Sequence, residues 1–370
     1  MEIRKLSNNF VGAGGSTSKQ SKMGFLKEIA AVLYGAGVGL RNRLYDLKIL
    51  RSTQFDIPIV CVGNVAVGGT GKTPTVEFLV KNLSGQYNVA VLSRGYRRRT
   101  KGYIEVQVSD SFLTVGDEAK QIKRKFPEAV VVVCEKRVKA VRRIMEEHPE
   151  VNLIVMDDGF QHRSLTPKVS IVLSDYNVPP FRNKMLPAGT LRDSPSQLYR
   201  ANILLITKTP KTMSPIERNI AQKELKPYPY QSFFFTDIKQ GNPKPIFSDV
   251  AAGTAIRGSK VVALSAIANP ERFHETLEGR FDVVEKIVFG DHHTYKVRDI
   301  KQIMEVVEKH GDRTIVLTTE KDGVKLTSRK HIPEELQRRL FVLPIEVNFR
   351  DGDEAKFVEK LISEIKTPKL

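Results

Sequence analysis

The sequence predicts an α/β protein: a doubly wound parallel sheet, a two-stranded β linker and a second, smaller α/β domain. Three observations carry this. Apolar, β-branched runs (IPIVCVG, VAVLS, VVVVC, LIVM, SIVL, ILLIT) alternate with polar stretches of helical length, the pattern of strands covered by helices on both faces. Around Phe233 to Phe247 the pattern becomes FFFTDIKQGNPKPIF, a Gly/Pro turn between two extended runs. A fresh set of runs then starts at Lys260 with VVALSAI, followed by FDVVEKIVF, TIVLTT and FVLPIEV. The expected boundaries are 1–23 for a leader, 24–230 for the first domain, 231–258 for the linker and 259–370 for the smaller domain.

The leader is rich in Gly, Ser, Asn and Lys and reads as disordered, with Met23 a candidate start. From Phe25 to Leu50 the apolar positions Leu26, Ile29, Leu33, Leu40, Leu44 and Leu47 recur at helical spacing, with Lys27, Arg41, Arg43, Lys48 and Arg51 on the flanks. This predicts one amphipathic helix, which its glycines interrupt or leave whole, suited to a membrane interface or to packing on the sheet. Its longest uncharged stretch, Ile29 to Leu40, is too short to span a bilayer.

Composition narrows the partners. With 41% hydrophobic and 27% charged residues the chain falls outside the disordered, collagenous and polytopic membrane classes. A formal charge of +17 favours polyanions: nucleic acid, an anionic membrane or a phosphorylated substrate. No zinc spacing, RNP-like signature or aromatic-interleaved basic groove supports nucleic acid. Cys61 and Cys134 lie inside apolar runs, the setting of small buried thiols, and imply a reducing compartment.

The segment Gly63 to Thr73, GNVAVGGTGKT, follows a strand and opens a helix, which is the setting of a P-loop. Gly68, Gly69, Thr70 and Gly71 let backbone N–H groups approach phosphate oxygens, and the helix N-terminus favours the anion. Lys72 then reaches the β- and γ-phosphates of ATP, and the Thr73 hydroxyl ligates Mg²⁺. Asp157 and Asp158 follow the strand LIVM, where P-loop folds place the acids that hold the metal. Between them, SRGYRRRTKG sets Arg94, Arg97, Arg98, Arg99 and Lys101 at a strand end, either a solvated loop or a grip on anionic substrate groups.

Together with VGDE (Val115 to Glu118), DDGFQH (Asp157 to His162), LPAGTLRD (Leu186 to Asp193), GDHH (Gly290 to His293) and TEKD (Thr319 to Asp322), these blocks resemble, in order, the lipid A 4'-kinase family from about Gly24 onward. The resemblance implies transfer of the ATP γ-phosphate to the 4'-hydroxyl of a tetraacylated glucosamine disaccharide 1-phosphate, giving lipid IVA at the cytoplasmic face of the inner membrane of a Gram-negative bacterium. It implies Mg²⁺, an anionic membrane surface as partner, and no obligate protein partner. It makes Asp117 the catalytic base assisted by His292, and Asp157 and Asp158 the metal acids. Arg192 joins Lys72 in catalysis, with Arg94, Glu118, Gln161, His162 and Asp193 as active-site support and Glu320 and Lys321 near the nucleotide base. On residues alone Asp117 reads first as a helix N-cap, and His162 as the cap of a turn. The sequence departs from the family pattern at Ala119, where Pro is usual, at Asp193, where Glu is usual, and in pairing His292 with His293.

Two other classes share the glycine loop. A GTPase or partitioning ATPase would carry an N-K-x-D base-reading sequence, of which TKTP at Thr207 is the nearest match, and a lysine where Val67 stands. A membrane or nucleic-acid binding module with regulatory ATP would hydrolyse nucleotide without phosphorylating a product.

Overall fold

A computed structural model describes residues 16–247, 256, 258–328 and 332–368. Residues 1–15 of the expected leader and 248–255 and 257 of the expected linker lie outside the described residues. The chain begins with α1 (Ser16–Asp46). It continues as β1 (Ile59–Asn64), α2 (Lys72–Leu83), β2 (Val89–Ser93), β3 (Ile104–Glu105), α3 (Phe112–Val115), α4 (Asp117–Lys125), β4 (Val130–Val133), α5 (Arg137–Glu147), β5 (Leu153–Asp157), β6 (Val169–Asp175), β7 (Ile203–Thr207), α6 (Pro215–Glu224) and β8 (Ser232–Gln240). The second unit adds β9 (Lys244–Pro245), β10 (Lys260–Ser265), α7 (Glu271–Glu278), β11 (Asp282–Val288), α8 (Val297–His310), β12 (Thr314–Thr319), α9 (Glu320–Thr327), α10 (Glu334–Gln337) and β13 (Leu340–Leu343). The chain ends with β14 (Ile345–Phe349) and α11 (Glu354–Lys366).

Every residue of β1, β2, β5 and β7 is buried, as expected when both faces of a parallel sheet are covered. Among the described residues the first sheet has the order β14-β8-β7-β6-β1-β5-β2-β4-β3. β1 pairs parallel with β5 on one side and β6 on the other. The chain therefore winds away from β1 in both directions, and a crevice opens at the carboxyl ends of these strands. A second sheet, β11-β10-β12-β13-β9, has its own core around Val262, Leu264, Ile303, Val316 and Leu340.

The linker differs from the local ribbon that the sequence suggests at 231–258. β8 lies parallel to β7 in the main sheet, and its antiparallel partner is β14, with Ile345 opposite Gln240 and Phe349 opposite Thr236. Lys244 and Pro245 pair instead with β13. Two strands distant in sequence thus cross between the units side by side. Beyond the crossing the chain stays with the first unit: Phe349, Phe357, Leu361 and Ile365 join its core, Phe349 and Phe357 packing 4.7 Å apart by ring centroid. The smaller domain accordingly ends near β13, short of 370. Burial of the α11 stripe against a preformed sheet drives this return.

Helix α1 starts before Phe25 and ends before Leu50, unbroken through Gly35, Gly37 and Gly39. It stops where Lys48 takes φ 58°, and Leu50 N–H turns back to the Leu44 carbonyl at 3.0 Å. Its stripe does not enter the sheet core: Val32 is 70% exposed and Leu33 68%, and Phe25, Leu26, Ile29 and Leu40 are exposed as well. No helix among the described residues is long and apolar enough to cross a membrane.

Candidate active site

The glycine loop leaves β1 and delivers Lys72 to the first turn of α2. Gly71 caps the helix at φ 89°, a conformation a side chain would strain. Asn64 Nδ2 donates to Thr70 Oγ1 at 2.7 Å, and Val67 N–H donates to the Thr190 carbonyl at 2.7 Å, so the loop is held from both sides. Gly68 and Gly69 stay exposed, and Lys72 and Thr73 are half-buried at the mouth of α2, whose first N–H groups face the crevice.

The two adjacent carboxylates are driven apart in acidity. Asp157 ends β5 at 1% exposure; Ser93 Oγ donates to its Oδ2 at 3.4 Å, while Oδ1 has no partner among the described residues. Burial, reinforced by the charges of Glu118 and Asp158, pushes its pKa up to about 7. Asp158, at φ 50°, is gripped by both terminal guanidinium nitrogens of Arg192, one at 2.9 Å, and lies 3.7 Å from Lys72 Nζ. Burial raises its pKa too, but the Arg192 hydrogen bonds and the Lys72 charge outweigh burial and bring it to about 2. Arg192 also donates to the Asn64 side-chain oxygen. A buried carboxylate oxygen without a donor, beside the loop that faces phosphate, suits a hard divalent cation.

Gly116 (φ 90°), not Asp117, caps α4, and Asp117 occupies the first helical position with Oδ1 accepting from Glu118 N–H at 3.0 Å. Its Oδ2 meets His292 Nδ1 at 3.1 Å and Lys321 Nζ at 3.7 Å, both from the second domain. Burial pulls Asp117 upward, yet the His292 hydrogen bond and the Lys321 charge leave its pKa below the ordinary carboxylate value. The Tyr96 ring packs edge-on to His292 at 5.6 Å. His293 turns away, bonding Asp299 Oδ2 at 2.8 Å and stacking on Phe289. The adjacent histidines, equivalent in sequence, are thus separated by geometry.

The remaining expected residues fall into two groups. Gln161 Nε2 donates to the Asn64 carbonyl at 2.5 Å, and Glu118 accepts the Lys321 charge at 3.6 Å. His162 is pushed down to about 4 by burial and by Arg137, Arg41 and Arg94, so it is neutral at physiological pH. Arg94 is exposed at the end of β2. Asp193 instead anchors α1, accepting from Asn42 Nδ2 at 2.8 Å, with Arg200 at 3.5 Å. Glu320 and Lys321, expected near the nucleotide base, take part in ion pairs with α4: Glu320 Oε1 lies 3.3 Å from Lys125 Nζ. Of the basic loop, Arg98 is tied to Glu135 at 2.6 Å, leaving Arg97 and Arg99 exposed.

Sequence reasoning passed over Asn64, which touches the loop, Arg192 and Gln161, and Arg137, 2% exposed with an Nε that has no partner among the described residues. An Asn ending an otherwise apolar strand run was the available signal for the first. Helix α1 also reaches the site: Tyr34 Oη donates to the Arg192 carbonyl and Arg41 to the Gln161 carbonyl, each at 3.1 Å.

Comparison with known proteins agrees over nearly the whole chain. The model of a family described as tetraacyldisaccharide-1-P 4'-kinase matches residues 24–366. A tetraacyldisaccharide 4'-kinase of Porphyromonas gingivalis is 40% identical over 352 residues, covering 93% of this chain and 98% of that protein. One from Bacteroides thetaiotaomicron is 36% identical, covering 90% and 91%. Among solved structures, LpxK from Aquifex aeolicus in complex with ATP superposes with a TM-score of 0.73 at 26% identity, covering 94% of this chain and 99% of that one.

Proposed function

We infer the chemistry of the crevice from one premise: the chain belongs to the tetraacyldisaccharide-1-P 4'-kinase family. It is an ATP-dependent kinase that phosphorylates the 4'-hydroxyl of a tetraacyldisaccharide 1-phosphate in lipid A biosynthesis. The observation that carries the assignment of residues is the meeting of Asp117 Oδ2 and His292 Nδ1 at 3.1 Å.

In this reading the loop amides and the N-terminus of α2 cradle the ATP phosphates, and Lys72 balances charge as it spreads over the transferred group. Asp117 accepts the proton of the attacking 4'-hydroxyl and shares it with His292 through the hydrogen bond between them. The new O–P bond forms as the bond from the γ-phosphorus to the β–γ bridging oxygen breaks, releasing ADP. Lys321 holds Asp117 ionised before the transfer. Arg192 and Lys72 fix Asp158, so of the two acids Asp157, with its unpartnered oxygen, is the better metal ligand, joined by the Thr73 hydroxyl. Mg²⁺ held there supplies charge neutralisation on the phosphates.

The exposed stripe of α1, with Lys27, Arg41 and Arg43 at its flanks, lies in the interface of an anionic membrane, the cytoplasmic face of the inner membrane. Because α1 touches the backbone of Arg192 and Gln161, membrane and active site share one helix. Incubation with labelled ATP and the 1-phosphorylated disaccharide lipid tests the reaction: a bisphosphorylated lipid supports it, and ATP hydrolysis without lipid product contradicts it.

A further inference from the structure

Glu320 and Lys321 are consecutive residues of α9, yet they engage opposite ends of α4. Lys321 Nζ lies 3.7 Å from Asp117 and 3.6 Å from Glu118 at the helix start, whereas Glu320 Oε1 lies 3.3 Å from Lys125 Nζ at its end. Lys125 also donates to Glu77 Oε2 at 2.6 Å, and Glu77, buried on α2, accepts from Gln121 Nε2 at 2.8 Å through its other oxygen. The second oxygen of Glu320 accepts the N–H of Ile345 at 3.1 Å, where the chain enters the returning strand β14. Beside this cluster, Arg124 donates to the Ile246 carbonyl at 2.9 Å and to Thr327 Oγ1 at 3.2 Å, both in the second domain.

One ammonium shared by two largely buried carboxylates contributes little net stability, because desolvation offsets the attraction; it does define a geometry. Here the geometry joins three parts. Glu77 stands one turn beyond Thr73 on the helix that opens at the phosphate loop, Lys125 ends the helix that begins with Asp117, and Glu320 belongs to the domain that carries His292.

We propose that Lys125 is a positioning residue for phosphoryl transfer, pinned between Glu77 and Glu320 so that α9 keeps its register on α4 and His292 stays on Asp117. The inference rests on the Asp117–His292 reading given above. A single hydrogen bond between groups on two domains tolerates little displacement, and a misplacement of about 1 Å costs up to roughly a hundredfold in rate.

The test uses full-length protein in the lipid kinase assay. Lys125→Met keeps the stem and removes the charge. It is expected to lower kcat roughly tenfold or more with KM for Mg–ATP little changed, and Lys125→Arg to restore most of the rate. In a His292→Ala background, Lys125→Met is expected to cost nothing further. Glu320→Gln guards against a folding defect, since it leaves the Glu77–Lys125 pair in place, removes the cross-domain charge and keeps one acceptor oxygen for the Ile345 N–H; the same loss of kcat at an unchanged Tm supports the proposal. Wild-type kcat in folded Lys125→Met or Glu320→Gln overturns it, as does a full additional loss in the His292→Ala background. Asp117→Asn run in parallel separates the two ideas: if it is inactive while Lys125→Met is fully active, only the positioning role falls. If Asp117→Asn is active, the reading beneath it falls too.

Discussion

His292 Nδ1 lies 3.1 Å from Asp117 Oδ2 although 175 residues separate them, and each belongs to a different domain. The pair exists only while the second domain is seated on α4, so under the proposed paired base proton acceptance is coupled to domain position. Among the described residues neither side chain has a hydrogen bond or ion pair to the phosphate loop.

Nucleotide affinity should therefore be insensitive to this pair. Asp117→Ala is expected to bind Mg–ATP within about twofold of wild type while losing turnover. Calorimetric titration checks this, and a large loss of affinity would move Asp117 into the metal shell.

Lys72 behaves in the opposite way. Its ammonium lies 3.7 Å from Asp158 at the start of α2, so Lys72→Ala removes charge from the phosphate side while leaving the core untouched. Phosphoryl transfer should fall by roughly a hundredfold or more with an intact circular-dichroism melt. Near-normal turnover would sink the phosphate-loop assignment.

Glu77 supplies a pH signature. Burial, and then the charge of Glu320, raise its pKa from 4.5 to about 7 against the pull of Lys125 and Gln121. The folded state thus holds the proton more tightly than the unfolded chain. Its stabilising effect is full below about pH 4.5 and is lost as pH rises through about 7. Between pH 5 and pH 8, wild type should lose stability relative to Glu77→Gln. Urea melts across that range read the difference, and parallel curves would refute it.

Val32 and Leu33 on α1 are exposed, so charging them should spare the fold and strike the membrane contact. Val32→Glu with Leu33→Glu is expected to keep Tm within a degree or two, to reduce sedimentation with anionic vesicles, and to raise KM for lipid in bilayers more than in detergent. Unchanged vesicle binding would return the stripe to a protein contact.

Much of this was legible in the sequence. Fully buried strands appear as unbroken apolar runs, and the glycine loop declares itself because the positive φ at Gly68 and Gly71 favours glycine. The return of β14 and α11 to the first domain was not legible, since the partner of β8 lies beyond an entire second domain and no local pattern records it. The roles of His292 and His293 could not be divided in sequence; the difference lies in their partners, Asp117 and Tyr96 for His292, Asp299 and Phe289 for His293. Asp117 looked like a cap because caps and bases use the same residue types, and Gly116 in fact holds that position. The ion pairs of Glu320 and Lys321 to α4 were not legible either, a relation set only by tertiary packing.

The most direct test of the central claim is a double-mutant cycle on kcat for lipid phosphorylation with Asp117→Ala, His292→Ala and the combined variant. Groups that act as one unit lose their effects together, so each single variant should be severely slowed and the double little worse than the poorer single. If the two losses simply multiply, Asp117 and His292 act independently and the paired-base account is wrong.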